Sequence, residues 1–189
     1  LFPYTTLFRS TDCVKIALEA IMPEPPDIII AGINHGSNLG TDVLYSGTVS
    51  AAIEGAIHGI PSLAVSLDAV GDSDFRPAAQ VTKKLVEILR GKKLPPNTLL
   101  NVNVPALPQE QLGKRLITKL GVRQYINTFE RRCDSQGRIY YWMGGSVANV
   151  DNDPDSDIVA VSNGHVSITP IHFDLTNYNI IQMLRNWNL

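Results

Sequence analysis

Apolar blocks alternate with polar, glycine-bearing breaks along the chain, and the blocks change character after Pro105. Val14, Leu18, Ile21 and Met22 recur at helical spacing behind a capping residue, Thr11 or Asp12, and Pro23 ends that helix. Asp27 to Ala31 is a short continuous apolar run, the pattern of a strand covered on both faces of a parallel sheet. A polar glycine-rich loop runs from Gly32 to Tyr45. An alanine-rich helix from Thr48 to His58 follows, ended by Gly59 and Pro61. Ser62 to Leu67 reads as a second buried strand. Pro77 opens a helix with Val81, Leu85, Ile88 and Leu89 on its apolar face and Gly91 past its end. Leu99 to Val104 is a third strand, stopped by Pro105. Strand alternating with helix predicts an α/β chain with a doubly wound parallel sheet.

Beyond Pro105 the segments Arg115–Leu120, Arg138–Trp142, Ile158–Ser162 and His165–Thr169 read as strands with little helix between them. Asn163-Gly164, between two alternating runs, predicts a type I′ hairpin. Ile180, Leu184 and Trp187 stand at helical spacing behind a cap at Thr176. The C-terminal part is therefore expected to be a β-rich arm ending in a helix. No internal repeat or low-complexity linker is present.

Composition narrows the functional classes. The 189 residues are 44% hydrophobic and 18% charged, a globular balance sufficient for one domain with a core. Sixteen basic and 18 acidic residues leave a net charge of −2 with no basic run, which argues against a nucleic-acid surface. Cys13 and Cys133 fit no paired motif and read as reduced thiols in a cytoplasmic protein. No apolar run approaches the length of a membrane span. Residues 1–10, LFPYTTLFRS, resemble the in-frame translation of a sequencing-library adapter. They are set aside as a non-native tag, which leaves 11–189 as the domain.

The stretch richest in chemistry is GINHGSNLGTDVLYSGTVSAAIEG, Gly32 to Gly55, at the end of a buried strand and running into a helix. Open α/β sheets bind ligands there. Gly32, Gly36 and Gly40 allow a tight backbone with free amides. Ser46-Gly47-Thr48 leads straight into a helix whose first N–H groups and dipole favour an anion. Asn34 and Asn38 offer neutral carbonyl oxygens suited to a hard cation. Each also has a plain structural reading: turn former for Asn38, helix cap for Ser46 or Thr48, loop cap for Asp42. The glycines do not form GxGxxG, no Lys completes a Walker A loop, and YSGTV is not GxSxG. His35, His58, His165 and His172 show no metal-binding spacing. Asp151, Asp153, Asp155 and Asp157 alternate like a calcium loop, but Ser156 replaces the needed Gly. That stretch is read as a solvated acidic loop.

PDIIIAGINHGSNLGTDVLYSGTVSAAIEG resembles the signature of the survival protein SurE family of metal-dependent nucleotidases. The resemblance continues through HGIPSLAVSLD (58–68), LLNVNVP (99–105) and DSDIVAVSNGHVSITPIHFDLT (155–176). It implies a Rossmann-like, mostly parallel sheet with a C-terminal β-hairpin arm and terminal helix, and homodimers or homotetramers formed by exchanging C-terminal elements. It also implies hydrolysis of nucleoside 5′(3′)-monophosphates with a divalent cation, magnesium or manganese. Residue by residue, Asn34 matches the metal-binding Asn, Ser46, Gly47 and Thr48 match the phosphate-contacting segment, and Asn38 is a neighbouring substrate contact. The family's first strand, its acidic metal-binding turn and a metal-binding Ser would precede Thr11 and do not occur in this sequence. The expectations that follow are an inactive chain with an unpaired sheet edge and poor solubility. A non-catalytic nucleotide-binding module and an oligomerisation module are the alternatives.

Overall fold

In the computed structural model, which describes residues 10–92, 94–126, 129–144, 146–149 and 153–187, the three apolar runs become three adjacent parallel strands. Helix α1 (Ser10–Ile16) continues as a π-helical turn, Ala17–Ile21. Then come β1 (Ile29–His35), α2 (Gly47–Ile57), β2 (Ser62–Asp68), α3 (Arg76–Leu89) and β3 (Thr98–Pro105). The second half contributes β4 (Arg115–Ile117), β5 (Arg123–Ile126), β6 (Phe129–Cys133), β7 (Ile139–Met143) and β8 (Ser146–Asn149). It closes with α4 (Asp157–Ser162), β9 (Val166–His172) and α5 (Tyr178–Arg185). The main sheet has the order β1-β2-β3-β9-β4. All its pairings are parallel except β3 with β9, so the α/β, Rossmann-like, mostly parallel sheet expected from sequence is present.

Strand β2 shows why the sheet is covered twice. Leu63, Val65 and Leu67 join Ala78, Val81 and Leu85 of α3 in one core cluster, with Val102 and Val104 of β3. Ala64, pointing the other way by the period-two rule, packs with Val49, Ala52 and Ala56 of α2. Burying one such aliphatic side chain contributes about 1.5–3 kcal/mol. Helix α2 sits close because Gly55 has no side chain: a Cβ there would lie 2.3 Å from Ser62 Oγ and 2.7 Å from Ile29 Cδ1.

Several expectations need correction. The polar stretch Gly32–Tyr45 is not all loop: β1 runs on to His35, and Gly40–Tyr45 forms a 3₁₀ helix. Ile158–Ser162 is not a strand but most of α4. Its β-branched residues suit either state. Ser156 decides it by accepting the Ile158 N–H on its hydroxyl as a cap. Asn163-Gly164 consequently is no type I′ hairpin, which requires positive φ at both residues. Asn163 has φ −90°, and Gly164, at φ +76°, ends α4. Nor is Asp151–Asp157 simply a solvated loop. Asp151 lies outside the described residues, and Asp153 pairs with Lys119, but Asp157 is fully buried. The last helix is capped by Asn177 rather than Thr176.

The arm stands where β5 pairs antiparallel with β8 and β6 with β7. Its turn is made by Asp134, whose carboxylate accepts from the Gln136 and Arg138 amides. The arm is inserted between β4 and α4, in the C-terminal half, and α5 is the expected terminal helix. Among the described residues no helix is long and apolar enough to cross a membrane.

Candidate anion-binding site

The loop after β1 is positioned by backbone contacts before any side chain acts. Register along β1 shifts between Ala31 and Asn34, where Gly32 lies at φ +127° and a Cβ would strike Val65 O at 2.3 Å. Only glycine fits there. The Gly36 N–H then donates to Leu67 O at 2.9 Å, tying the loop to the end of β2.

Asn34 and Asn38 have different surroundings. Asn34 is partly exposed at the strand end, and its Nδ2 donates to Gly36 O at 2.8 Å. Asn38 is buried inside a polar knot. Its N–H donates to Asn103 Oδ1 at 2.8 Å and its Nδ2 to Ser66 Oγ at 2.7 Å. Its carbonyl accepts from Asn101 Nδ2 at 2.8 Å and Asn103 Nδ2 at 3.0 Å. Ser66, Asn101 and Asn103 are fully buried. Polar groups at such depth stay stable only when hydrogen-bonded, so these three strand residues anchor the loop. Sequence reading passed over them. The available signal was an Asn or Ser at inward positions of strands otherwise read as apolar.

Helix α2 begins where the three predicted phosphate contacts lie. Ser46 is its N-cap, buried, with Oγ accepting the Val49 N–H at 3.1 Å. Gly47 is exposed and Thr48 half-buried at the first helical positions. Amides there have no acceptor within the helix, so they present N–H dipoles outward at the positive end of the helix macrodipole. A Cβ on Gly47 would lie 3.4 Å from Ser10 Oγ, so the start of α1 stands beside this helix start.

Two carboxylates lie along the approach to α2: Asp42 is paired with a cation, and Asp157 is held by backbone amides. Asp42 accepts from Arg123 Nη1 at 2.8 Å and from Tyr125 OH at 2.6 Å. Burial, then the Asp42 carboxylate, raises the Tyr125 pKa. Asp157 accepts the Gly40 N–H and the Gly121 N–H, each at 2.8 Å. Burial raises its pKa and these amides work the other way. The histidines are separate: His35 Nε2 bonds Gly71 O at 2.7 Å, His58 lies by Glu54 and Glu19, and Lys114 N–H donates to His165 Nδ1.

An α/β sheet with a polar loop and a helix start at the carboxyl ends of its parallel strands defines a ligand-binding protein of the open-sheet class. The family model for survival protein SurE matches residues 7–127, and the chain belongs to that family. It is similar to the 5'-nucleotidase SurE of Heliobacterium modesticaldum, 55% identical over 176 residues, which cover 93% of this chain and 65% of that protein. The 5'-nucleotidase SurE of Pelotomaculum thermopropionicum is also 55% identical, over 92% of this chain and 66% of that protein. The crystal structure of the SurE protein from Aquifex aeolicus superposes with a TM-score of 0.83 at 36% identity, covering 96% of this chain and 73% of that one. The chain therefore spans just under two thirds of the length of those two nucleotidases.

The divalent cation that the family resemblance implies does not fit the donors available. Among the described residues no group of three or more His, Cys, Asp or Glu is arranged to hold a metal ion. Asn34 offers one neutral amide oxygen, whereas hard-cation affinity depends on several oxygen ligands and on their charge.

Proposed function

We propose that this chain is the phosphate-holding part of a phosphomonoester hydrolase acting on nucleoside 5′(3′)-monophosphates, with release of nucleoside and phosphate. The observation that carries the reading is the start of α2, where exposed Gly47 and half-buried Thr48 follow the buried cap Ser46 at the carboxyl edge of the sheet. The amides of Gly47 and Thr48 donate to phosphate oxygens, the Thr48 hydroxyl adds a third donor, and the helix dipole favours the dianion. Ser46 holds the first turn in shape, and Asn38 anchors the loop from below through Ser66 and Asn103. That relatives 55% identical bear the name 5'-nucleotidase SurE supports the choice of substrate.

On this reading a divalent cation, magnesium or manganese, belongs to the whole enzyme. Asn34 would supply it one neutral amide oxygen, and acidic ligands would have to come from outside the described residues. The 189 residues alone then bind phosphate without cleaving its esters. The arm supports assembly as a homodimer or homotetramer, since Phe129, Ile139, Tyr141 and Trp142 are exposed on it. The cytoplasm is the proposed location.

Titration of the chain with inorganic phosphate, followed by amide chemical shifts, tests the site. Saturable shifts at Gly47 and Thr48, weakened about tenfold in Thr48→Val, are the expected result, as for loss of one charge-assisted hydrogen bond. Saturation with no response at these two residues would remove the reading. So would turnover of a nucleoside monophosphate with manganese, as far as it concerns an incomplete site.

A further inference from the structure

The reach of Asp157 is longer than its place in the chain suggests. Its two carboxylate oxygens are shared between two remote backbone segments: Oδ2 takes the Gly40 N–H and Oδ1 takes the Gly121 N–H. Gly40 opens the 3₁₀ helix that ends one residue before Ser46, and Gly121 lies two residues before arm strand β5. The two glycines are in direct backbone contact, since a Cβ on Gly40 would lie 2.7 Å from Gly121 O. Asp157 itself is fully buried and sits at the first turn of α4, whose Ile158 and Val161 pack on Leu39 of the same loop.

Three further hydrogen bonds run between the same two segments. Thr41 Oγ1 donates to Arg123 O at 3.1 Å, and Arg123 Nη1 and Tyr125 OH both donate to Asp42 Oδ2. None of these partners is a neighbour in sequence: 81 to 83 positions separate Asp42 from Arg123 and Tyr125, and 117 separate Gly40 from Asp157. A carboxylate can satisfy two amides facing it from different directions because both its oxygens are acceptors. An amide side chain cannot, because one of its two heavy atoms would present hydrogen to an N–H.

We infer that Asp157 is a positioning residue, which clamps the turn leading into α2 onto the root of the arm and thereby sets where the Gly47 and Thr48 amides stand. The inference rests on the reading of those amides as the phosphate site. It makes arm root and anion site one unit: a shift of residues 121–125 is passed to residues 40–42 through the shared carboxylate and the Asp42–Arg123 pair. The 3₁₀ helix Gly40–Tyr45 runs directly into the Ser46 cap, so that shift reaches the start of α2. Asp157 touches no substrate on this account and acts only through the turn.

The test compares three variants of the chain with the wild type by amide chemical shifts, melting temperature and inorganic phosphate titration. Asp157→Asn preserves shape but leaves one of the two glycine amides without an acceptor. Its ligand-free spectrum is expected to show displaced Gly47 and Thr48 amides, and its phosphate affinity to fall about tenfold. Leu85→Ala, in α3 on the opposite face of the sheet, lowers the melting temperature at least as much and leaves both readouts unchanged. Asp42→Ala removes the acceptor of both the Arg123 and the Tyr125 hydrogen bond and so breaks the outer half of the clamp; a smaller displacement in the same direction is expected even where Asp157→Asn does not fold. Gly47 and Thr48 amides that superpose on the wild type in Asp157→Asn would overturn the inference whether or not phosphate binds. In a non-folding case, wild-type positions in Asp42→Ala would do the same. Equal displacement in Leu85→Ala would also overturn it, by making the effect one of general stability. Failure of the wild type to bind phosphate, with the displacements present, would sink the functional reading and leave the clamp standing.

Discussion

Strands β2 and β6 are both well formed, yet one is buried at every residue but its last and the other is exposed throughout. Strand β2 has two strand neighbours and a helix on each face. Among the described residues strand β6 pairs with β7 alone, and all five of its residues are exposed. Its Arg132 reaches over the Trp142 ring, with 4.9 Å from guanidinium carbon to ring centroid, and pairs with Glu130, both contacts lying within the arm. The difference teaches that the two regions draw stability from different sources. The sheet is held by burial within the chain. The arm is held by its own ladders, and its aromatic side chains Phe129, Tyr141 and Trp142 stay exposed.

A charge placed in each region tests this most severely. Val65→Asp puts an unpaired carboxylate into a fully buried site and is expected to abolish the cooperative thermal transition, because a buried charge costs several kcal/mol against a total of about 5–15. Tyr141→Asp, on the exposed arm, should leave the melting temperature within about 2 °C of wild type, as surface substitutions do. It should instead move the protein to a later position on size-exclusion chromatography. An arm variant that unfolds as readily as the sheet variant would break the distinction.

A smaller effect is expected inside the sheet's polar knot. Asn103→Ala removes both an acceptor for the Asn38 N–H and a donor to the Asn38 carbonyl, and should cost about 2–4 kcal/mol in chemical denaturation. Serine at that position would recover part of the loss if hydrogen bonding rather than volume is the cause. The smallest effect lies outside both regions, at Asp174. Hydrogen bonds from the Tyr178 hydroxyl, then from Thr176, hold this carboxyl down at about 2, against the ordinary aspartate value of 3.8. A lowered folded value means stability that is present above about pH 4 and lost as pH falls through about 2. Asp174→Asn should therefore flatten the melting temperature slightly across that acid range and change nothing at neutral pH. A wild-type curve already flat there would contradict the assignment.

Much of the fold was legible because buried parallel strands announce themselves: the runs at 28–31, 62–67 and 99–104 admit few other arrangements. The segment at 157–162 was not, since Ile158, Val159 and Val161 carry β propensity. The helix there depends on a Ser156 cap and on Asp157 finding two glycine amides far away in sequence. The site divides the same way. Ser46 was readable as a cap because its partner, Val49, is three residues on. The role of Asn38 was not, because its partners stand 28 to 65 positions away. The acidic run at 151–157 misled for the same reason: charge pattern alone does not say which carboxylate turns inward.

Gly55 lies eight residues beyond Gly47 on the same helix, about 12 Å along its axis. It is the point at which α2 is jammed against Ser62 and Ile29. A rigid rod wedged at one end has its other end located as well, so the depth of the Gly47 and Thr48 amides is adjusted from the opposite end of α2. Substitutions that shift those amides are therefore to be sought around Gly55, Ser62 and Ile29, a helix length away from them.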